Sequence, residues 1–475
     1  MCGVIGIISE RDVTRDLFIG LLGLQHRGQD SAGILTFDNN FKIKKDKGYV
    51  EDVFSERDLD NLKANIGIGH TRYPTVGSDF RTDAQPFYVA FPNKVGIVHN
   101  GQVTNYYELR RRFFKKNRAL TSTCDIEAVL NVFAEALLGK KGLSPKELFE
   151  AVKKVFKRAK GAYSVVMLIG GKGLLAFRDP NAIRPLVMMN KKFDGEKAYA
   201  FVSESTALIN YGYVVERNIA PGEAVFIDNN LRVHSKKIVK GKPHHCMFEW
   251  VYFSRTESIL EGKEVYKVRL ELGRQLAKEW RKTGLKADVV FPVPDTSRTA
   301  ATTMAEELKL PCREGLIKNR YIGRTFIMAS QTRREDSVKL KLNPIPSEVK
   351  GKRILLVDDS IVRGTTSKKI VKLLKEYGAK AVYFISTCPP IRFPCFYGID
   401  MPVKSELIAS DKTIKEIREF IEADYLIYNS IPGLRKAIGL KGLCMACLDG
   451  RYPSKVPKET IEEFGKERTE ERKRV

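Results

Sequence analysis

The second residue of the chain, Cys2 in MCGVIGIISE, puts a thiol directly behind the initiator methionine. With Met1 removed, Cys2 would carry both a nucleophilic sulfur and a free α-amine. That amine titrates near about 8 in model peptides, so it can take the thiol proton through a bridging water without help from a histidine. A second constellation lies in RILLVDDSIVRGTTS (353–367). Ile354 to Val357 predict a buried strand, Asp358 and Asp359 stand at its end, and a Gly/Thr/Ser turn then opens a helix. Hydroxyls and backbone N–H groups at a helix start suit a phosphate monoester, while adjacent carboxylates suit ribose hydroxyls or a hydrated Mg²⁺. Helix capping alone would leave the GTTS turn without a purpose. Neither GxxxxGK nor GxGxxG occurs, which argues against a P-loop ATPase and a dinucleotide enzyme. Finally, Cys444-Met445-Ala446-Cys447 is a C-x-x-C, with Cys246 and Cys395 far away in sequence. Four thiolates suit zinc or an iron–sulfur cluster, and the spacing alone does not choose between them.

These groups need scaffolds. VIGII (4–8) predicts a buried strand, followed by a helix up to about Gln25. NIGIGHTRY (65–73), KVGIVHNG (94–101), AYSVVMLIG (162–170) and AYAFVS (198–203) read as further strands. Ser144-Pro145-Lys146-Glu147 is a capping box with proline at the first helical position, and Leu148, Val152, Val155 and Phe156 then repeat on one face. Grouped strands with a few helices predict an α+β unit of stacked sheets, ending near EAVFID (223–228). After about residue 263 the rhythm changes. VYKVRLELGRQLAKEW is an amphipathic helix, DVVFPVPDTS (288–297) a strand entering a polar loop, and RILLVDDS, KKIVKLLKEYG and AVYFIS (381–386) follow as strand, helix and strand. That alternation predicts an α/β unit with a parallel sheet and a ligand at the carboxyl ends of its strands. Residues 2–230 and 231–475 are the expected domains. The basic, weakly periodic stretch GLIKNRYIGRTFIMASQTRRED (315–336) is suited to closing over a polyphosphate, with Lys318, Arg320 and Arg324 as the cations to meet pyrophosphate.

A chain of 475 residues exceeds the usual size of one core. No apolar run approaches the roughly 18 residues of a membrane span, and no signal peptide opens the chain, so a cytoplasmic protein without a membrane partner is expected. Eight cysteines are too few for a disulfide scaffold of this length. The net charge of +25 is spread among glutamates, as in KERTEERKRV, which reads as a solvated surface with some steering of small polyanions and no nucleic-acid partner.

MCGVIGI, LQHRGQDSAG (24–33), GHTRYPTVG (69–77) and HNGQVTN (99–105) together resemble class II glutamine amidotransferases of the N-terminal nucleophile hydrolase superfamily. The resemblance implies an αββα sandwich in which Cys2 attacks the glutamine amide. Arg72 would then bind the α-carboxylate, Asp125 in STCDIE the α-ammonium, and the Asn100 side chain with the Gly101 N–H would form the oxyanion hole. VDDSIVRGTTS is similar to the signature of type I phosphoribosyltransferases, which use phosphoribosyl pyrophosphate (PRPP). On that likeness Asp358 and Asp359 would meet the ribose diol and Mg²⁺, and Ser360, Gly364, Thr365, Thr366 and Ser367 would hold the 5′-phosphate. VPDTS (293–297) resembles that family's pyrophosphate loop, with Thr296 as a Mg²⁺ ligand and Ser297 as a phosphate donor.

Nearly the whole chain, through RDPNAIRPL (178–186), SESTAL (203–208) and CFYGID (395–400), resembles the family of amidotransferases that act on PRPP. This implies transfer of glutamine-derived ammonia to C1 of PRPP, giving 5-phosphoribosylamine, pyrophosphate and glutamate at the entry to purine synthesis. Because ammonia in water is mostly ammonium, an apolar passage between the centres is expected, completed when PRPP closes the 315–336 loop. Some members carry a [4Fe–4S] cluster on cysteines matching Cys246, Cys395, Cys444 and Cys447, which would serve a structural role here. The family also implies a homo-oligomer, usually a tetramer, and feedback inhibition by purine nucleotides. SRTES (254–258) stands where the family usually reads RPDS, and Gln102 where Asn is common; neither touches a residue given a chemical role.

Overall fold

Alternation along the first strand explains the architecture of the N-terminal half. In Gly3–Ser9, Ile5 and Ile7 pack into one core and Val4 and Ile8 into another, because successive side chains of a strand point to opposite faces. A strand buried on both faces must lie inside a stack of layers. The computed structural model, which describes residues 1–73, 81–140, 142–193, 195–319, 342–401 and 403–474, places this strand within a seven-stranded sheet facing a six-stranded one. Val4, Ile8 and Ile68 of the first sheet meet Val98, Val166 and Leu174 of the second. Helix Thr14–Gly23 covers the outer face of the first through Leu17 and Leu21. Helices Asp125–Ala136 and Pro145–Arg158 cover the second. The result is the αββα sandwich.

The capping box holds: Glu147 N–H donates to Ser144 Oγ at 3.4 Å and Ser144 N–H to Glu147 Oε2 at 3.0 Å. Leu148, Val152, Val155 and Phe156 are buried beneath it. Strands Ser31–Asp38 and Asn40–Lys47 were not legible. The second is an edge strand reading NFKIKKDK, whose lysines guard an open ladder and leave no apolar run to detect. The boundary expected at 230/231 also moves. Strand Val233–Lys237 pairs with Glu223–Asp228 and completes the six-stranded sheet, so the sandwich ends at Lys237. The turn between these strands, rich in Asp and Asn, has the composition of a linker.

The second half contains four parallel strands in chain order, Val289–Pro292, Arg353–Asp358, Ala381–Ser386 and Tyr425–Tyr428. Helices Val265–Arg281 and Arg298–Leu308 pack on one face through Leu276, Trp280, Ala301 and Met304. Helix Thr365–Glu376 packs on the other through Ile370, Val371 and Leu374. A short parallel pairing of His245–Cys246 with Leu443–Cys444 sets Cys246 opposite Cys444. From there the terminal helix Lys458–Arg474 returns to the sandwich. The Thr460 hydroxyl donates to the Thr104 carbonyl, Arg111 Nη2 lies 2.6 Å from Glu459 Oε2, and Phe464 is buried against Phe396. Among the described residues no helix is long and apolar enough to cross a membrane.

Candidate active site

Strand pairing decides which residues surround Cys2. Gly3 lies opposite Thr71 in the antiparallel pair of Gly3–Ser9 with Ile66–Arg72, so Arg72 ends level with Cys2. The facing sheet contributes Val95–Val103, which brings up Asn100 and Gly101. Cys2 N–H donates to Asn100 Oδ1 at 3.3 Å, and the thiol faces the Tyr73 carbonyl at 3.8 Å. Asn100 is fully buried, and its Nδ2 has no partner among the described residues. A buried amide donor left unmatched beside a nucleophile is what a developing oxyanion requires.

Gly101 has φ of +146°, and a Cβ there would stand 2.0 Å from the Ala162 carbonyl oxygen. Gly101→Ala is therefore expected to push the strand away from Cys2 and lower glutamine-dependent turnover by about 10²- to 10³-fold. Ammonia-dependent turnover should survive. Equal loss of both in steady-state assays would contradict this placement.

Arg72 is buried, 3.6 Å from Asp83 Oδ2. Asp83 is in turn held by the Thr123 N–H at 2.9 Å and hydroxyl at 2.6 Å. Asp125 opens its helix, accepting from Val103 N–H at 2.6 Å with His99 Nε2 at 3.3 Å from its other oxygen. Burial would raise the Asp125 carboxyl, but His99, the Val103 N–H and Arg72 outweigh it and hold the pKa below the usual range. Arg72, level with Cys2 in the strand register, and Asp125, bonded to the N–H two residues on from Gly101, thus bring a guanidinium and an ionised carboxylate to this end of the two sheets.

Buried His70 and His99 bond to groups other than the Cys2 thiol. His70 Nε2 pairs with the His99 carbonyl at 3.1 Å, and His99 Nδ1 with Gln85 Nε2 at 3.0 Å. Burial, then proximity to His99, pushes the His70 pKa well below its ordinary value. The unfolded chain therefore binds a proton that the folded one refuses, and His70 lowers stability as pH falls from about 6.5, by up to about 1.4 kcal/mol per pH unit. Thermal melts between pH 7.5 and 5.5 should show a shallower decline in His70→Gln than in the parent. Parallel curves would exclude His70 as the source.

Arg27, in LQHRGQDSAG, gains a role only in the fold. Its Nε donates to the Cys2 carbonyl at 3.1 Å, its Nη atoms reach the Glu249 carboxylate at 3.0 and 2.9 Å, and Nη1 also pairs with Glu204. Burial opposes the cation, yet Glu249 and Glu204 raise its pKa above the ordinary value. A lone arginine in a polar run gives no sign that it will be buried. Met1 is also buried. Burial pushes its amine down to about 6, and with Met1 in place the Cys2 nitrogen is an amide.

Met1 also lines the second site. A cleft of about 640 Å³ is bounded on one wall by Thr296, Lys318, Asp358, Asp359, Ser360 and Gly364 to Ser367, and on the other by Met1, Arg27 and Tyr73. The first wall lies at the carboxyl ends of the parallel strands, where the alternating pattern places a ligand. Gly364 sits at the helix start with φ of +77°, a left-handed turn, and the first N–H groups of a helix have no partner within it. Burial raises both Asp358 and Asp359, the latter to about 6 even with Arg269 nearby, and the Asp359 charge raises Asp358 further. Lys318 Nζ rests 2.8 Å from Asp295 Oδ2. Ser297 lies beneath the loop, its hydroxyl 3.5 Å from Asp358 Oδ1, and does not line the cleft. Arg320, Arg324 and most of the 315–336 stretch lie outside the described residues.

Cys246, Cys395, Cys444 and Cys447 line one enclosed cavity. Three of the sulfurs accept a backbone N–H from two residues on, from Phe248, Tyr397 (3.4 Å) and Ala446. Among the described residues, no three His, Cys, Asp or Glu side chains stand close enough to hold one metal ion. A lone zinc needs its sulfurs at about 2.3 Å from a single point, whereas a cluster takes each thiolate on its own iron and spreads them apart. The donor set and the enclosure suit a thiolate-held metal group.

Comparison with known proteins agrees with both halves. Residues 70–210 match the glutamine amidotransferase domain family and residues 261–419 the phosphoribosyl transferase domain family. The chain is 44% identical to an amidophosphoribosyltransferase of Pseudomonas aeruginosa, over 95% of this chain and 93% of that protein. It is 45% identical to one of Pyrococcus horikoshii, over 95% and 96%. Among solved structures it resembles the glutamine PRPP amidotransferase of B. subtilis complexed with ADP and GMP, at a TM-score of 0.86 and 36% identity, covering 96% of this chain and 98% of that one.

Proposed function

The chain belongs to the amidophosphoribosyltransferase family, and from that premise we propose how its residues divide the work. The enzyme transfers ammonia from glutamine to C1 of PRPP, giving 5-phosphoribosylamine, pyrophosphate and glutamate in the first step of purine biosynthesis. In our reading Arg72 and Asp125 grip the α-carboxylate and α-ammonium of glutamine. Once Met1 is gone, the Cys2 amine accepts the thiol proton and Sγ attacks the amide carbon. The oxyanion is met by Asn100 Nδ2 and the Gly101 N–H. Ammonia departs, and water releases glutamate from the thioester.

Across the cleft, Ser360 and Gly364 to Ser367 hold the 5′-phosphate, and Asp358 and Asp359 take the ribose diol. Lys318, with Arg320 and Arg324, meets the pyrophosphate. Ser297 braces Asp358 from below. Thr296, Asp358 and Asp359 would hold a Mg²⁺ ion, which would supply charge neutralisation for the leaving pyrophosphate. The main task of these residues is to position the sugar and stabilise charge as its C1–O bond breaks. We assign Cys246, Cys395, Cys444 and Cys447 to a [4Fe–4S] cluster that ties the C-terminal segment across the molecule. Further parts of the proposal are a sandwich domain running from residue 2 to 237 with the phosphoribosyltransferase unit after it, a cytoplasmic homotetramer, and purine nucleotides as feedback inhibitors. Nucleotides accompany the B. subtilis relative in its solved structure.

The observation that supports this reading is the nearness of the two centres: Arg27 and Tyr73, which touch Cys2, line the same cleft as the phosphate turn. Ammonia released at Cys2 would have only the layer formed by Arg27 and Tyr73 to cross before it meets the bound sugar. Glutamate and pyrophosphate should then appear in equal amounts when glutamine, Mg²⁺ and PRPP are supplied together. A large excess of glutamate in a coupled assay would refute the transfer.

A further inference from the structure

We propose that Arg184 is the charge-compensating partner of the group held by Cys246, Cys395, Cys444 and Cys447, donating a hydrogen bond to it and setting its reduction potential. The inference rests on the cluster assignment made above. Arg184, in RDPNAIRPL, is fully buried and lines the cavity that the four cysteines enclose. Its Nε donates to the Tyr397 carbonyl at 2.7 Å, in the segment that carries Cys395. Nη1 meets the Met1 sulfur and lies 3.4 Å from Glu249 Oε1. Nη2 has no partner among the described residues.

A buried guanidinium N–H without an acceptor is rare, because desolvation is not repaid until a partner arrives. Glu249 cannot satisfy the whole fork: both of its oxygens already accept from Arg27, at 3.0 and 2.9 Å. A cluster on four thiolates carries net negative charge, and its potential responds to hydrogen bonds and nearby cations. The arginine therefore has an open donor where such a group needs one. If it were only a staple between Tyr397 and Glu249, that donor would remain orphaned.

The test uses the full chain purified without oxygen, reading iron and acid-labile sulfide per chain, the cluster's reduction potential by mediated titration, and iron loss in air. The parent is expected to hold iron and sulfide. Arg184→Met should shift the potential to more negative values and speed iron loss several-fold, since a positive charge no longer favours the extra electron. Arg184→Lys should recover much of the shift by restoring the charge. Glu249→Gln should move the potential the opposite way, and it decides the matter if Arg184→Met does not fold. A general loosening of the site would move both variants in one direction. A parent potential and iron half-life in Arg184→Met, a lysine variant as impaired as the methionine one, or no upward shift in Glu249→Gln overturns the proposal. A parent without iron and sulfide removes the cluster assignment itself, and this inference with it.

Discussion

Replacing Cys2 by alanine is expected to eliminate glutamine as a nitrogen donor while leaving ammonium usable. The side chains around Cys2 can still bind glutamine in the variant, because Arg72 and Asp125 keep their own anchors in Asp83, Val103 and His99. What is lost is the atom proposed to attack the amide, so glutamine-dependent turnover should fall by a factor on the order of 10⁴ or more. The phosphate turn is built from residues of the parallel-sheet half that the substitution does not touch. Pyrophosphate release with ammonium should accordingly stay within about threefold of the parent, since no transition-state contact to the sugar is removed. Glutamate and pyrophosphate measured with each donor separate the outcomes. If the alanine protein still released glutamate from glutamine, the nucleophile would have to be another group. Retention of Met1 supplies an independent control. Mass spectrometry of the active enzyme should find a chain that begins at Cys2, since with Met1 attached the nitrogen beside the thiol is an amide and cannot take a proton.

The acidic pair gives the complementary result. Asp358→Asn together with Asp359→Asn should lower turnover with both donors, by about 10²- to 10³-fold or more, because the charges that meet the ribose and its metal are removed. Burial raises both carboxyls, and the charge of Asp359 raises Asp358 further. Removing the charges relieves this repulsion, so the doubly substituted chain should melt no lower than the parent, and slightly higher without PRPP. The combination of lost catalysis and undiminished stability marks a site kept for function at some expense to the fold. Uncoupled glutamate release in this variant, tested at saturating glutamine, should persist at a low level. Loss of glutamine chemistry alone, with ammonium use intact, would place the pair in the other centre.

Much of this chemistry could be read without coordinates. Cys2, the HNG stretch and VDDSIVRGTTS are local: each places its groups within a few residues of one strand end or turn, so neighbours in sequence are neighbours in space. The strands carrying them were legible for the same reason, since buried strands in stacked or parallel sheets are short continuous apolar runs. Edge strand Asn40–Lys47 and the last strand of the sandwich, Val233–Lys237, escaped because one or both faces meet water and their apolar pattern is diluted.

Local order along the chain therefore settled which chemical groups exist and which turn or strand end carries each. Their meeting was decided only by the tertiary structure. Arg27 reaches Glu249 across 222 positions, the Arg184 guanidinium lies 213 positions from the Tyr397 carbonyl it holds, and Cys246 faces Cys444 through a two-residue pairing. Such contacts leave no periodic trace, because a buried cation or thiol is stabilised by partners that only the folded chain brings within reach.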